Sequence, residues 1–133
     1  MDSARSASKQ DWQEMTFTRI LHDMNETGDF KASFLVDAQG LPVAAVTSDD
    51  YDTDTASAMA ALVRNAIEQA QTRIELSEAD EVAVRSNDKM RLVSRYFTVG
   101  DETLILVLIA PPDRPYRRLT NQAIRALQAA WSS

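Results

Sequence analysis

The sequence of 133 residues has no cysteine, one histidine and only three glycines. Without cysteine there can be no disulfide, no thiolate nucleophile and no thiolate metal ligand, and a reducing compartment is allowed. The glycines do not form the phosphate-binding pattern G-x-x-x-x-G-K-[ST]. His22 stands beside Leu21 and Asp23 on a predicted helix, which favours a surface or structural role over catalysis. We therefore expect no enzymatic activity, no metal and no cofactor.

Long apolar runs are also missing. The longest, residues 103–112, is far shorter than the ~20 residues that span a bilayer. The first ten residues are polar and lack the apolar core of a secretion signal. With 20 acidic and 14 basic residues, the net charge of -6 repels phosphate backbones. The composition thus predicts a cytoplasmic protein without membrane insertion and without a nucleic-acid partner.

The length and a hydrophobic fraction of 44% suffice for one domain with its own core. We expect a flexible tail at residues 1–10 and a single domain at residues 11–133. A capping box at residues 8–11 and an apolar repeat predict a first helix that ends near Gly28. Residues 31–37 and 41–46 form a predicted strand pair around Gly40, and Pro42 confines the second strand to an edge.

Residues 56–76 give the strongest helical pattern of the chain. One side of this predicted helix is an apolar stripe expected to face the core. The opposite flank is small or uncharged, so another helix can approach it closely. The stripe contains Met59, Leu62, Val63, Ala66, Ile67, Ala70 and Ile74, and the flank contains Ala58, Ala61, Asn65, Gln69 and Thr72.

The second half of the chain predicts three strands and a last helix. Residues 81–85 alternate, Asn87 and Asp88 give a type I′ turn signal, and residues 90–99 continue as a second strand. Residues 103–110 are nearly all apolar, as in a central strand covered on both faces. Three prolines then precede a helix that ends near Trp131. Short turns make neighbouring strands antiparallel, so we predict an α+β fold of order α-β-β-α-β-β-β-α.

This pattern resembles the Roadblock/LC7 domain. The resemblance rests on the order of elements, the LVDxxGLPVA hairpin at residues 35–44, the alanine-rich second helix, and the Gly100-Asp101 turn before the apolar strand. It implies a profilin-like, five-stranded antiparallel sheet with helices on both faces. It also implies a homodimer or heterodimer that binds or regulates small Ras-like GTPases, as similar bacterial members do without hydrolysing nucleotide themselves.

Two charged segments offer other functions. Asp50, Asp52 and Asp54 resemble the start of an EF-hand, but Thr55 and Ala61 stand where its glycine and glutamate belong. Capping of the second helix is the better interpretation of these aspartates. A cluster near the last helix could suggest an arginine finger or phosphate site, although a solvated helix face is favoured. It comprises Arg114, Arg117, Arg118 and Arg125.

The candidate functional site is a strand edge. In the strand order of the family the second and third strands are edges, and residues 81–85 contain no proline, glycine or lysine that blocks pairing. Antiparallel pairing of two copies about Ala83 brings Glu81 opposite Arg85. An ordinary edge covered by a loop is the alternative. The predicted interface comprises Ala58, Ala61, Asn65, Gln69, Glu81, Val82, Ala83, Val84 and Arg85.

The sequence therefore favours a dimeric, non-enzymatic scaffold or regulator that binds a small Ras-like GTPase and modulates its activity or localisation. A PAS- or GAF-like small-molecule sensor is the alternative, since it also builds an antiparallel sheet under helices. Such a sensor needs a roomy pocket with a few polar groups. The predicted core is mostly valine, leucine, isoleucine and alanine, which favours a filled interior.

Overall fold

The computed structural model describes residues 2–47 and 51–132, and this part of the chain contains three helices and five strands in the predicted order. The strands form one antiparallel sheet of order β2-β1-β5-β4-β3, which confirms the predicted α+β class. The elements are α1 Asp2–Gly28, β1 Ala32–Asp37, β2 Pro42–Thr47, α2 Thr53–Ile74, β3 Glu81–Arg85, β4 Arg91–Val99, β5 Glu102–Ala110 and α3 Arg117–Trp131.

Helices α1 and α3 cover one face of the sheet. Phe17, Leu21 and Met24 recur at helical spacing on α1, and their side chains are buried against the sheet and α3. The Phe17 ring stacks on Trp131 of α3 with 5.9 Å between ring centroids. This face holds the larger hydrophobic core, so it contributes most of the apolar burial that stabilises the domain.

Helix α2 covers the other face and packs on β1 and β2. Its buried residues are Ser57, Ala60 and Ala61, whose short side chains let the helix lie close to the sheet. By contrast, Met59 and Leu62 are 53% and 61% exposed. The predicted apolar stripe is therefore wrong for these two residues and for Ala66 and Ile74, which are also exposed, whereas Val63, Ile67 and Ala70 are half-buried. The helix faces the sheet with its small residues instead.

Strand β5 lies at the centre of the sheet, as its continuous apolar run predicts. Its side chains alternate between the two faces, and five consecutive residues, Leu104 to Leu108, are buried. Strands β2 and β3 are the two edges, and Pro42 opens β2 beside a register shift between Leu35 and Val36. The edge positions predicted for both strands are thus confirmed.

Three local predictions are corrected. Helix α1 begins at Asp2 rather than at the capping box, because neither proline nor glycine interrupts the preceding residues. The separation of residues 1–10 from the domain at residues 11–133 stays a prediction, but residues 2–10 are helical. The left-handed residue after α1 is Asp29 rather than Gly28. The β3–β4 turn is not type I′, since its positive φ falls at Lys89 and not at Asn87 or Asp88.

The β1–β2 turn is built by Asp37 and Gly40. The Asp37 carboxylate accepts hydrogen bonds from the backbone N–H groups of Gln39 and Leu41 at 2.9 and 3.0 Å. Gly40 has φ +90, and a Cβ added there would lie 3.2 Å from the Cβ of Ala61 on α2. The aspartate and glycine of this hairpin therefore form a turn that packs against α2, and they are not a ligand site.

Replacement of Gly40 by alanine should destabilise the domain by about 1–2 kcal/mol, since an L-residue is strained at this φ and its Cβ would crowd Ala61. Gly100→Ala is the matched control, because Gly100 also has a positive φ but nothing lies within 4 Å of its added Cβ. Urea unfolding of both variants gives the comparison. An equal loss in the two variants would contradict a packing role for Gly40.

Candidate interaction surface

Strand β3 has one free edge. It pairs with β4 in a register that places Ala83 opposite Val93, and no other strand of the described chain pairs with it. Ala83, Val84 and Arg85 are exposed, and Val82 is half-buried. The backbone groups on the outer side of β3 can therefore add a strand from another molecule.

Glu81 is held by its own chain. Its Oε2 accepts a hydrogen bond from the Tyr116 hydroxyl at 2.8 Å, and its Oε1 accepts one from the Arg117 guanidinium at 3.1 Å. The Arg95 Nε lies 3.7 Å from the same Oε1, and the Glu81 side chain is only 19% exposed. The predicted pairing of Glu81 with Arg85 of a second chain assumes a free carboxylate, which the structure does not provide.

Arg95 anchors this cluster from the sheet. Its side chain is 9% exposed, and one guanidinium nitrogen donates to the Thr120 hydroxyl at 2.7 Å and to the Asn121 side-chain oxygen Oδ1 at 2.6 Å. A buried guanidinium needs such partners, since desolvation of an unpaired charge is costly. Burial and the hydrogen bond to Glu81 also raise the pKa of Tyr116. The cluster thus joins β3 and β4 to α3.

Arg85 has no such partner. It forms no ion pair with any residue in the described ranges, and the register places it directly opposite Arg91 of β4. Arg91 itself donates to the backbone oxygens of Pro111, at 2.8 Å, and Arg114. Like charges at directly opposite positions repel. Arg85 is therefore an exposed cation beside a second cation.

Helix α2 presents only part of the predicted flank. Ala58, Asn65 and Gln69 are exposed, so they are available to a partner. Ala61 is 8% exposed because it faces the hairpin at Gly40. The expectation that Ala61 lies on an open flank is wrong, whereas the interface role of the other three stays a prediction.

Val84 is a predicted interface residue, but the sequence reasoning missed Leu92, the exposed apolar residue next to it. Val84 and Leu92 are register partners on β3 and β4, and they are 56% and 45% exposed. They lie on the same face of the sheet as α2, but α2 packs on β1 and β2 and leaves this end uncovered. Met59 and Leu62 on α2 are further large apolar residues that the monomer leaves exposed. The sequence does carry one sign of this exposure: α2 is apolar on more than one side, and only one side can face the sheet.

Comparison with known proteins decides the family. The model of the Roadblock/LC7 domain matches residues 16–110, which is most of the chain. The chain belongs to the Roadblock/LC7 family. The family is regulatory, and the predicted five-stranded fold with helices on both faces is confirmed. No curated protein matches the sequence.

Solved structures share this Roadblock/LC7 fold at low sequence identity. The gliding protein MglB from Thermus thermophilus is 16% identical, with 89% of this chain and 90% of that chain covered and a TM-score of 0.76. Myxococcus xanthus MglB is 17% identical, with coverage of 89% and 86% and a TM-score of 0.70. A Roadblock/LC7 domain from Streptomyces avermitilis is 14% identical, with coverage of 86% and 94% and a TM-score of 0.71.

The acidic segment before α2 caps the helix of this Roadblock/LC7 domain. The Asp52 carboxylate accepts hydrogen bonds from the backbone N–H groups of Asp54 at 3.0 Å and Thr55 at 3.3 Å. The hydrogen bonds from Thr55 are the main cause that lowers the pKa of Asp52. Asp50, the first member of the predicted segment, lies outside the described residues. The capping interpretation accounts for Asp52.

The other charged candidates lie on helix surfaces. His22 is 3.8 Å from both Asp23 and Glu26, the one group of described side chains with metal-ligand spacing, and all three are exposed. The predicted arginine cluster near α3 is also exposed, and Arg117 in it binds Glu81. No helix in the described ranges is long and apolar enough to span a bilayer.

A cleft of about 500 Å³ lies between the second half of α2 and β4. Its walls include Tyr96 and the ion pair of Arg64 with Glu68, whose charged atoms are 2.7 Å apart. Burial raises the pKa of Tyr96. A small-molecule sensor needs a pocket that encloses its ligand in mostly apolar walls, whereas this cleft is open and carries several charged side chains.

Replacement of Glu81 by glutamine should lower the free energy of unfolding by about 1–3 kcal/mol, since the buried Arg95 guanidinium loses its counter-charge. The change keeps the shape of the side chain and its contact with Tyr116. Glu78→Gln is the control, because Glu78 is exposed in the loop before β3. Urea unfolding measures the free energy of unfolding of both variants, and only Glu81→Gln should be less stable than the wild type. Equal stabilities would show that the cluster is not held by charge.

The Asp52 cap should make stability depend on pH. Its pKa is lower in the folded state than the ordinary 3.8, so its contribution is complete above that value and is lost as the pH falls through the folded pKa. Asp52→Asn can still cap but cannot ionise. Unfolding measured from about pH 5 to pH 2 should therefore show a smaller loss in the variant than in the wild type. Parallel curves would contradict this role.

Proposed function

We propose that this Roadblock/LC7 protein is a dimeric, non-enzymatic regulator that binds a small Ras-like GTPase and modulates its activity or localisation. The partner chain in the dimer is a second copy or another Roadblock/LC7 protein. The protein acts in the bacterial cytoplasm, beside its GTPase. The single observation that carries the proposal is the free β3 edge with exposed apolar side chains beside it.

The dimer is supported by two features of one surface. The outer backbone groups of β3 are unpaired within the described chain, and strand addition would satisfy them. Val84 and Leu92 on the same face, with Met59 and Leu62 on the outer side of α2, are exposed large apolar residues. Burial of such side chains supplies the association energy that hydrogen bonds along a short edge do not.

The GTPase partner is supported by family membership. The resemblance to bacterial members of the family implies a Ras-like GTPase partner, and bacterial MglB proteins share the fold of this chain. The absence of a P-loop pattern from the sequence fits a regulator whose partner supplies the nucleotide site. In this assignment the protein supplies a binding surface, and hydrolysis takes place on the partner.

Replacement of Val84 by lysine should weaken dimerisation at least about tenfold, since it puts a charge into an apolar contact at the edge. Ala126→Lys is the control, because Ala126 is an exposed apolar residue on α3, on the far face of the sheet. Sedimentation velocity across a dilution series gives both dissociation constants. An unchanged Val84→Lys dimer would show that β3 is not the contact.

The GTPase assignment is tested with purified Ras-like GTPases from the source organism. Each is loaded with a fluorescent GDP or a non-hydrolysable GTP analogue, and anisotropy is followed as the full chain is added. Binding of one GTPase with a preference for one nucleotide state is the expected result. Failure of every GTPase to bind, together with a tightly held metabolite in native mass spectrometry, would favour the sensor alternative.

A further inference from the structure

The free edge carries an unbalanced set of charges on one face. Successive side chains of β3 point to opposite faces of the sheet, so those of Glu81, Ala83 and Arg85 share one face. This is the face that α3 covers. The register partners of Glu81 and Arg85 on β4 are Arg95 and Arg91. With Arg117 from α3, the side chains named here are four guanidinium groups and one carboxylate, that of Glu81. That carboxylate is already within 4 Å of two of them.

Pairing of two identical edges about Ala83 would place Arg85 of each chain opposite Glu81 of the other. Glu81 already has Arg95 and Arg117 as neighbours and a hydrogen bond from Tyr116. A third guanidinium would meet a site whose local charge is positive. A second copy therefore gives Arg85 no counter-charge of its own. Its guanidinium would be repelled by Arg95 and Arg117 of the other chain, and this repulsion occurs twice because the pairing is two-fold.

We propose that the matched partner of β3 is a different Roadblock/LC7 chain whose edge strand places a carboxylate opposite Arg85, rather than a second copy of this chain. The inference rests on the proposed dimer and specifies its partner. An acidic residue at that position would neutralise Arg85, which the register otherwise places opposite only Arg91 of β4. The apolar residues Val84 and Leu92 supply affinity to either partner, so the charge at Arg85 selects between them.

Charge reversal at Arg85 tests the inference, because the two models predict opposite signs. In a homodimer of Arg85→Glu, each new carboxylate meets the partner's Arg95 and Arg117 beside Glu81. We expect self-association about three- to tenfold tighter than in the wild type at low salt, in the range of exposed ion pairs. The gain should shrink as salt is added. If Glu81 were instead free to bind Arg85, the reversal would oppose two carboxylates and weaken the dimer.

Arg85→Gln is the matched control, because it removes the positive charge without adding a negative one. Sedimentation velocity should rank self-association as Arg85→Glu, then Arg85→Gln, then the wild type. A variant Arg85→Glu that dimerises no better than Arg85→Gln overturns the inference and leaves the edge dimer intact. Adding Val84→Lys to Arg85→Glu should abolish the gain. A gain that survives that addition would overturn the edge dimer itself, whereas no self-association in any of these proteins, Arg85→Glu included, would overturn the inference.

Discussion

The position of the edge strand depends on one carboxylate. Strand β3 has five residues and is paired on one side only, so its ladder alone holds it weakly. Glu81 at its first position binds Tyr116 and Arg117 from α3 and neutralises the buried Arg95 from β4. These contacts fix the strand to elements that belong to the main core. A strand fixed in this way presents its free edge with little loss of entropy on binding.

The second constraint is the size of the side chains under α2. Small residues at Ser57, Ala60 and Ala61 bring the helix close to β1 and β2, and the β4 and β3 end of that face stays uncovered. The larger apolar residues Met59, Leu62 and Ile74 of α2 are then left exposed. A domain of this size gains stability by burying such side chains, and association is the remaining way to do so. The shape of the monomer and its proposed need for a partner thus have the same cause.

Much of the fold could be predicted because its signals are local. Alternation identified the strands, helical periodicity identified the helices, and Pro42 identified one edge. The errors also have local causes. The capping box suggests too late a start for α1, because the residues before it are also compatible with a helix. The positive φ angles at Asp29 and Lys89 were not predicted, because glycine is the usual sign of such an angle and neither residue is glycine. On α2, periodicity alone could not tell which of two apolar sides would face the sheet.

The sequence by itself determined the order of elements and the β2 edge from local patterns, and the ordered set of these patterns gave the family resemblance, which supplied the β3 edge. Only the tertiary structure decided which side chains remain available at the edge. Tyr116 and Arg117 are 35 and 36 residues from Glu81, and their contact depends on how α3 lies across the sheet. The packing of α2 on the β1–β2 hairpin likewise buries Ala61, and Arg85 has no ion pair within the described residues. No local pattern records such contacts, because they arise when distant segments meet.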